Sequence, residues 1–180
     1  SELQSFLLSD AAMPGSRRSI LSTLPLYTMS DGLLERILTR HGVDPMQKQA
    51  IKRQAADQRQ RLLMILETET VEDEIPMVTP EEFLANQPVL ELSGMFCEAD
   101  ITYNEKEYEA HLKETRVFAE QYPNYNAKQG SAHAFRNLQI FIHEGQWVMV
   151  SKGKAPAVHF VIRHPKLRSA IENFIPPMTE

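Results

Sequence analysis

Between Arg136 and Arg168 the chain gathers Arg136, His143, Lys152, Lys154, His159, Arg163, His164, Lys166 and Arg168, with Phe141 and Trp147 among them. Arg and protonated His donate charge-assisted hydrogen bonds, and aromatic faces receive flat or cationic groups. Such a mixture suits a small anionic or planar ligand, or an acidic segment such as the one containing Glu72-Asp73-Glu74. Cations that merely rim a sheet covered by helices would give the same set of residues. Covalent and metal chemistry have less footing. Cys97 is the one cysteine, its flanks match no nucleophile signature, and Glu98 and Asp100 oppose thiolate formation. The histidines His41, His111, His133, His143, His159 and His164 lack the paired spacing of a zinc site. The seven glycines fall in no phosphate-binding frame, so neither a metal nor a nucleotide cofactor is expected.

The elements that must position these residues are read from alternation and turn signals. Leu138 to His143, Gln146 to Lys152 and Ala157 to Arg163 alternate as three strands of a meander, parted by Glu144-Gly145 and by Gly153-Lys154-Ala155-Pro156. Parity then sorts the side chains. Leu138, Ile140, Ile142, Val148, Val150, Val158, Phe160 and Ile162 share an apolar face, while Gln139, Phe141, His143, Trp147, Met149, Ser151, His159, Val161 and Arg163 share a mixed one. On that mixed face Phe141, His143, Trp147, His159 and Arg163 are the candidate ligand-binding residues, with Trp147 expected to be buried.

Upstream, the patterning is helical. Leu3, Phe6 and Leu7 form a short apolar run broken by Asp10 to Pro14, and Pro14-Gly15-Ser16 opens a second helical run through Ile20, Leu21 and Leu24. Ser30 caps a third helix that ends at His41-Gly42, and Asp44-Pro45 starts a long polar fourth that runs to about Glu69. Asn104 and Glu107 make a capping box for a helix that Pro123 ends, Asn124 to Ala134 reads as a loop, and Pro165 to Phe174 reads as a last helix. With Val89 to Ser93 as a further strand, the expected class is α+β: an N-terminal helical lobe and a three- to four-stranded antiparallel sheet, β-α-β-β-β-α, covered by helices. The expected organisation is a helical lobe over 1–69, an acidic, proline-punctuated connector over 70–88, and an α+β lobe over 89–180.

Composition excludes several classes. At 180 residues, 42% apolar and 24% charged, the chain is neither disordered nor membrane-spanning in character. No apolar run approaches a span and no signal peptide opens it, so a cytoplasmic setting is expected. The net charge of -5 conceals an acidic centre, three Lys or Arg against fifteen Asp or Glu over 64–125, between basic ends. A strongly basic nucleic-acid binder is not indicated. The missing initiator Met is read as a sign of a piece from a longer chain.

The run His143-Glu144-Gly145-Gln146-Trp147-Val148-Met149-Val150-Ser151-Lys152, with Val158-His159-Phe160-Val161-Ile162-Arg163-His164-Pro165-Lys166-Leu167, resembles the C-terminal, non-DNA-binding region of helix-turn-helix transcriptional regulators of Gram-positive-type bacteria. The resemblance extends back through Leu90 to Phe96 and the Tyr103 to Tyr122 helix. It implies an effector-sensing or dimerising domain, whose expected partners are a small-molecule effector and a second copy in a homodimer, with DNA met only through a domain outside this chain. It carries no site residues over. The other class kept open is a small cytoplasmic enzyme using the mixed sheet face.

Overall fold

The computed structural model describes residues 2–79, 101–130, 138–152 and 158–174. Among them are five α-helices, α1 (Glu2–Ala11), α2 (Asp31–Arg40), α3 (Pro45–Leu66), α4 (Glu105–Gln121) and α5 (Pro165–Phe174). Six strands, β1 (Arg17–Ile20), β2 (Val71–Ile75), β3 (Tyr125–Gln129), β4 (Leu138–His143), β5 (Trp147–Lys152) and β6 (Val158–Ile162), form one sheet in the order β3-β2-β1-β4-β5-β6. Strands β1, β2 and β3 pair in parallel, and β1, β4, β5 and β6 pair antiparallel.

This mixed, six-stranded sheet corrects the expected three- to four-stranded antiparallel one. The meander β4–β5–β6 is present in the anticipated register, and three further strands complete the sheet. Strand β1 falls where a second helix was expected, β2 falls inside the acidic connector, and β3 falls inside the expected loop. The sheet therefore takes strands from all three segments of the chain. The strand expected at Val89 to Ser93 lies outside the described residues.

Acidity disguised β2, and partners on neighbouring strands resolve it. Glu72 pairs with Lys128 at 3.2 Å and Glu74 with Arg18 at 3.0 Å, both across adjacent strands. Asp73 points to the opposite face and accepts hydrogen bonds from the Tyr27 and Tyr125 hydroxyls, the latter at 2.6 Å. Both ion pairs are diagonal, two residues off register, a separation that long charged side chains span, so a sequence that looks like a solvated linker becomes an interior strand.

The helix ends follow local chemistry. Ser30 accepts from the Leu33 amide to cap α2, and Gly42, at φ 68°, follows its last turn. Asp44 caps α3 with Pro45 at its first position, and α4 carries the full Asn104–Glu107 capping box.

The helices divide between the two faces of the sheet. Leu33, Leu34, Ile37 and Leu38 of α2, Ile51 of α3 and Tyr108 and Leu112 of α4 pack with Ile75, and Phe141 lies against this cluster. Leu62 and Leu66 of α3 and Phe118 of α4 pack with Val71 and Tyr125. On the opposite face Ile20, Ile140, Ile142 and Val148 bury with Val150 beneath Ile171 of α5. The larger core thus lies on the face that includes the mixed residues. The more uniformly apolar face is covered by α5 and leaves Phe160 63% exposed.

Candidate functional site

Strand register sets the site. Arg17 pairs with His143 and His143 with Trp147, so the three side chains stand in one row across β1, β4 and β5. Ser19, Phe141, Met149 and Val161 form the next row, and Gln139, Ser151 and His159 the one after. The parity expected for Phe141, His143, Trp147 and His159 is the parity observed.

Over the first row lies α1. Its Asp10 carboxylate receives three donors from three strands: His143 Nδ1 at 2.7 Å and Trp147 Nε1 at 2.8 Å both meet Oδ1, and the Arg17 guanidinium stands 3.7 Å from Oδ2. Trp147 is 6% exposed and His143 is fully buried. The Phe6 ring, one helical turn earlier, is 5.5 Å from the Trp147 ring, and the Arg163 guanidinium lies 5.0 Å from its centre. Residues four apart on a helix share a face, which is why one short helix delivers both an acid and a ring to this place.

Arg17 also holds the end of α1. Its guanidinium donates to the carbonyls of Asp10 at 2.8 Å, Met13 at 3.0 Å and Gly15, groups that a helix terminus and the following turn leave without partners. Burial lowers the Arg17 pKa from its ordinary value, with Asp10 and Glu69 opposing that shift. The guanidinium remains charged, and its charge is met by the carboxylate and the carbonyl dipoles.

His143 uses both ring nitrogens. Nδ1 faces Asp10, and Nε2 lies 2.7 Å from the Pro14 carbonyl oxygen. Both nitrogens face acceptors, so each lies within hydrogen-bond reach of an oxygen. No ring nitrogen is left to take a proton from, or give one to, a reacting group.

The expected site residues fall into three groups. His143, Trp147 and Arg163 come together around α1. Phe141 belongs to the large core cluster, and His159, exposed, pairs through Nδ1 with Ser151 Oγ at 2.7 Å. Asp10, Phe6 and Arg17 complete the site and were not singled out from the sequence. Their signal was an acid on the same helical stripe as Leu3, Phe6 and Leu7, a placement that asks for a buried partner.

Two other buried polar clusters are placed differently. Asp73 is fully buried, and burial pushes its pKa up to about 6 although Tyr125, Tyr27 and Ser19 hydrogen bonds pull it down. His111 is likewise buried, which takes its pKa down to about 3 and leaves the ring neutral. Its Nε2 faces the Pro25 carbonyl at 3.0 Å and so carries the proton, while Nδ1 accepts from the Tyr103 hydroxyl at 2.6 Å. Each is enclosed by the elements it joins, which suits a role in stability. Among the described residues no group of three His, Cys, Asp or Glu side chains could hold a metal ion, and no helix is long and apolar enough to cross a membrane. Cys97 and His133 lie outside the described residues.

No family model matches the chain, and neither a curated protein nor a solved structure matches it significantly. The geometry of the site is therefore the ground for its function.

Proposed function

We propose that this chain is the regulatory, effector-sensing domain of a cytoplasmic bacterial transcriptional regulator, and that α1 is the element through which its state is read out. The observation that carries this reading is the seat of α1: a half-exposed helix whose side chains meet the sheet through one acid and one ring, with Arg17 on its terminal carbonyls. Asp10 meets His143, Trp147 and Arg17, and Phe6 meets Trp147 and Arg163. A few localised contacts define a helix with two states, seated and released, and a ligand that competes for them shifts the balance. A DNA-binding domain joined before α1 would sense that shift directly.

The sheet face supports an enzyme less well. Asp10 and His143 have the arrangement of a carboxylate orienting a catalytic imidazole, but the second nitrogen of His143 is taken by the Pro14 carbonyl. The strongly acidic centre of the chain also argues against DNA binding by these residues themselves.

The test compares the isolated chain with the complete gene product for duplex DNA binding at physiological salt. Sequence-selective binding by the complete product, altered by Asp10→Ala, with none by residues 1–180 alone, is the expected result. Submicromolar, sequence-selective binding by the isolated chain would contradict it, as would a complete product without a DNA-binding segment.

A further inference from the structure

The Asp10 carboxylate sits in a receptor that any carboxylate of the right reach would satisfy. Two ring nitrogens, His143 Nδ1 and Trp147 Nε1, converge on one oxygen, and the buried Arg17 guanidinium stands near the other. The three donors stand on paired strands, which fix their backbone positions, while the Arg17 guanidinium and the second His143 nitrogen are also engaged by carbonyls of residues 10 to 15. Beside it the indole of Trp147 and the guanidinium of Arg163 bound the place taken by the Phe6 ring. The helix thus presents a carboxylate and a benzene ring, from residues whose Cβ atoms are about 5–6 Å apart.

We propose that this face binds small arylalkanoic acids, which seat their carboxylate in place of that of Asp10 and their ring in place of that of Phe6, and so displace α1. The proposal rests on the regulatory reading above and names the class of effector that its site takes. Charge, flatness and spacing select the class. A neutral aromatic leaves the Arg17 guanidinium and the His143 and Trp147 nitrogens without a carboxylate, and an aliphatic acid leaves the Arg163–Trp147 slot without a ring. The generic i,i+4 spacing of the two residues points to a spacer of one or two carbons between ring and carboxylate.

The occupant of the site is also the reason that affinity depends on α1. A ligand that must first displace a seated helix binds more weakly by the fraction of molecules in which the helix is released. Removing the competing group therefore tightens binding, the opposite of what removal of a contact residue does. Of the residues in α1 only Ala11 is buried and Leu8 is largely exposed; besides Asp10 and Phe6, the partly buried Leu3 and Leu7 and the Arg17 bonds to the Asp10 and Met13 carbonyls seat the helix.

The experiment titrates the full 180-residue chain with 3-phenylpropionate and phenylacetate, using 3-phenylpropanol and butyrate as controls. Emission of Trp147, the only tryptophan, and amide exchange of residues 2–11 are followed together. The expected result is a saturable emission change with the two aryl acids, little with either control, and faster exchange in α1 on binding. Asp10→Ala and, as a variant that leaves His143 paired, Phe6→Ala should each tighten the aryl acids about tenfold, and Arg163→Ala should weaken them by about as much. Failure of both acids to saturate at about 10 mM with wild type and with folded Phe6→Ala overturns the ligand class, as does equal binding of 3-phenylpropanol. If the aryl acids bind and α1 exchange does not change, the ligand class stands and the readout through α1 falls. If α1 is released by Asp10→Ala and no aryl acid binds, the readout stands and the ligand class falls.

Discussion

His143 Nδ1 lies 2.7 Å from Asp10 Oδ1, and the two residues are 133 positions apart in the chain. That contact joins the first helix to the middle of the sheet, and the Trp147 indole N–H shares the same oxygen at 2.8 Å. A buried imidazole and a buried indole both meet one carboxylate from a half-exposed helix. The relationship ties the position of α1 to the interior of the fold, and the function proposed here is built on it.

The turn after α1 is under steric control at Gly15, which has φ 121°. A Cβ at this position would come within 2.7 Å of the Glu144 carbonyl oxygen and 3.0 Å of the His143 ring. Both the backbone conformation and the space refuse a side chain. Gly15→Ala should cost about 1–3 kcal/mol in urea denaturation and shift Trp147 emission, because the ring it displaces is the neighbour of that indole. A variant as stable as wild type with unchanged emission would show that the turn is free to relax.

His111 should make the fold acid-sensitive. Its folded pKa of about 3 lies below the ordinary 6.5, so the unfolded chain binds the proton more readily. The stability that the neutral ring contributes is fully present above pH 6.5 and is lost as the pH falls towards 3. Between pH 7 and pH 5 the loss from this group alone is roughly 2 kcal/mol. Urea denaturation of His111→Gln should lack this loss on acidification, at a lower stability at pH 7. A slope equal to that of the wild type would mean that the ring is not kept neutral.

Asp73 should act in the opposite direction. Burial raises its folded pKa to about 6 from an ordinary 3.8, so the folded protein binds this proton more tightly than the unfolded chain does. Its contribution is fully present below pH 3.8 and is lost as the pH rises through 6, about 3 kcal/mol in all. Between pH 4 and pH 6 the two groups oppose one another in the wild type. Asp73→Asn should therefore unmask a steeper loss of stability on acidification over that range, measured by urea midpoints, while His111→Gln unmasks a gain. Parallel profiles for the two variants would refute this opposition.

How far the sequence disclosed these features depends on the range of the interaction that makes each one. Capping at Asn104 and Glu107, the Asp44-Pro45 start and the β4–β5 turn at Gly145 depend on residues a few positions apart, and all were legible. Parallel pairing of β1, β2 and β3 joins segments separated by about fifty residues each time. Nothing local marks such strands, and Glu72, Asp73 and Glu74 pointed away from one until Lys128, Arg18, Tyr27 and Tyr125 were placed around them. The site was legible on its sheet side, where alternation put His143 and Trp147 on one face. Its other half, Phe6 and Asp10, read only as a short apolar run and the break that ends it, because His143, Trp147 and Arg163, which they meet, lie more than 130 residues away.

Amide hydrogen exchange of residues 2–11 in wild type and Asp10→Ala tests most directly whether one carboxylate holds α1 on the sheet. Exchange in α1 should become at least tenfold faster, about 1.4 kcal/mol of lost protection, while β4 and β5 amides keep theirs. Unchanged exchange in α1, or a loss of protection spread across the whole sheet, would contradict the account of α1 as a separately releasable helix.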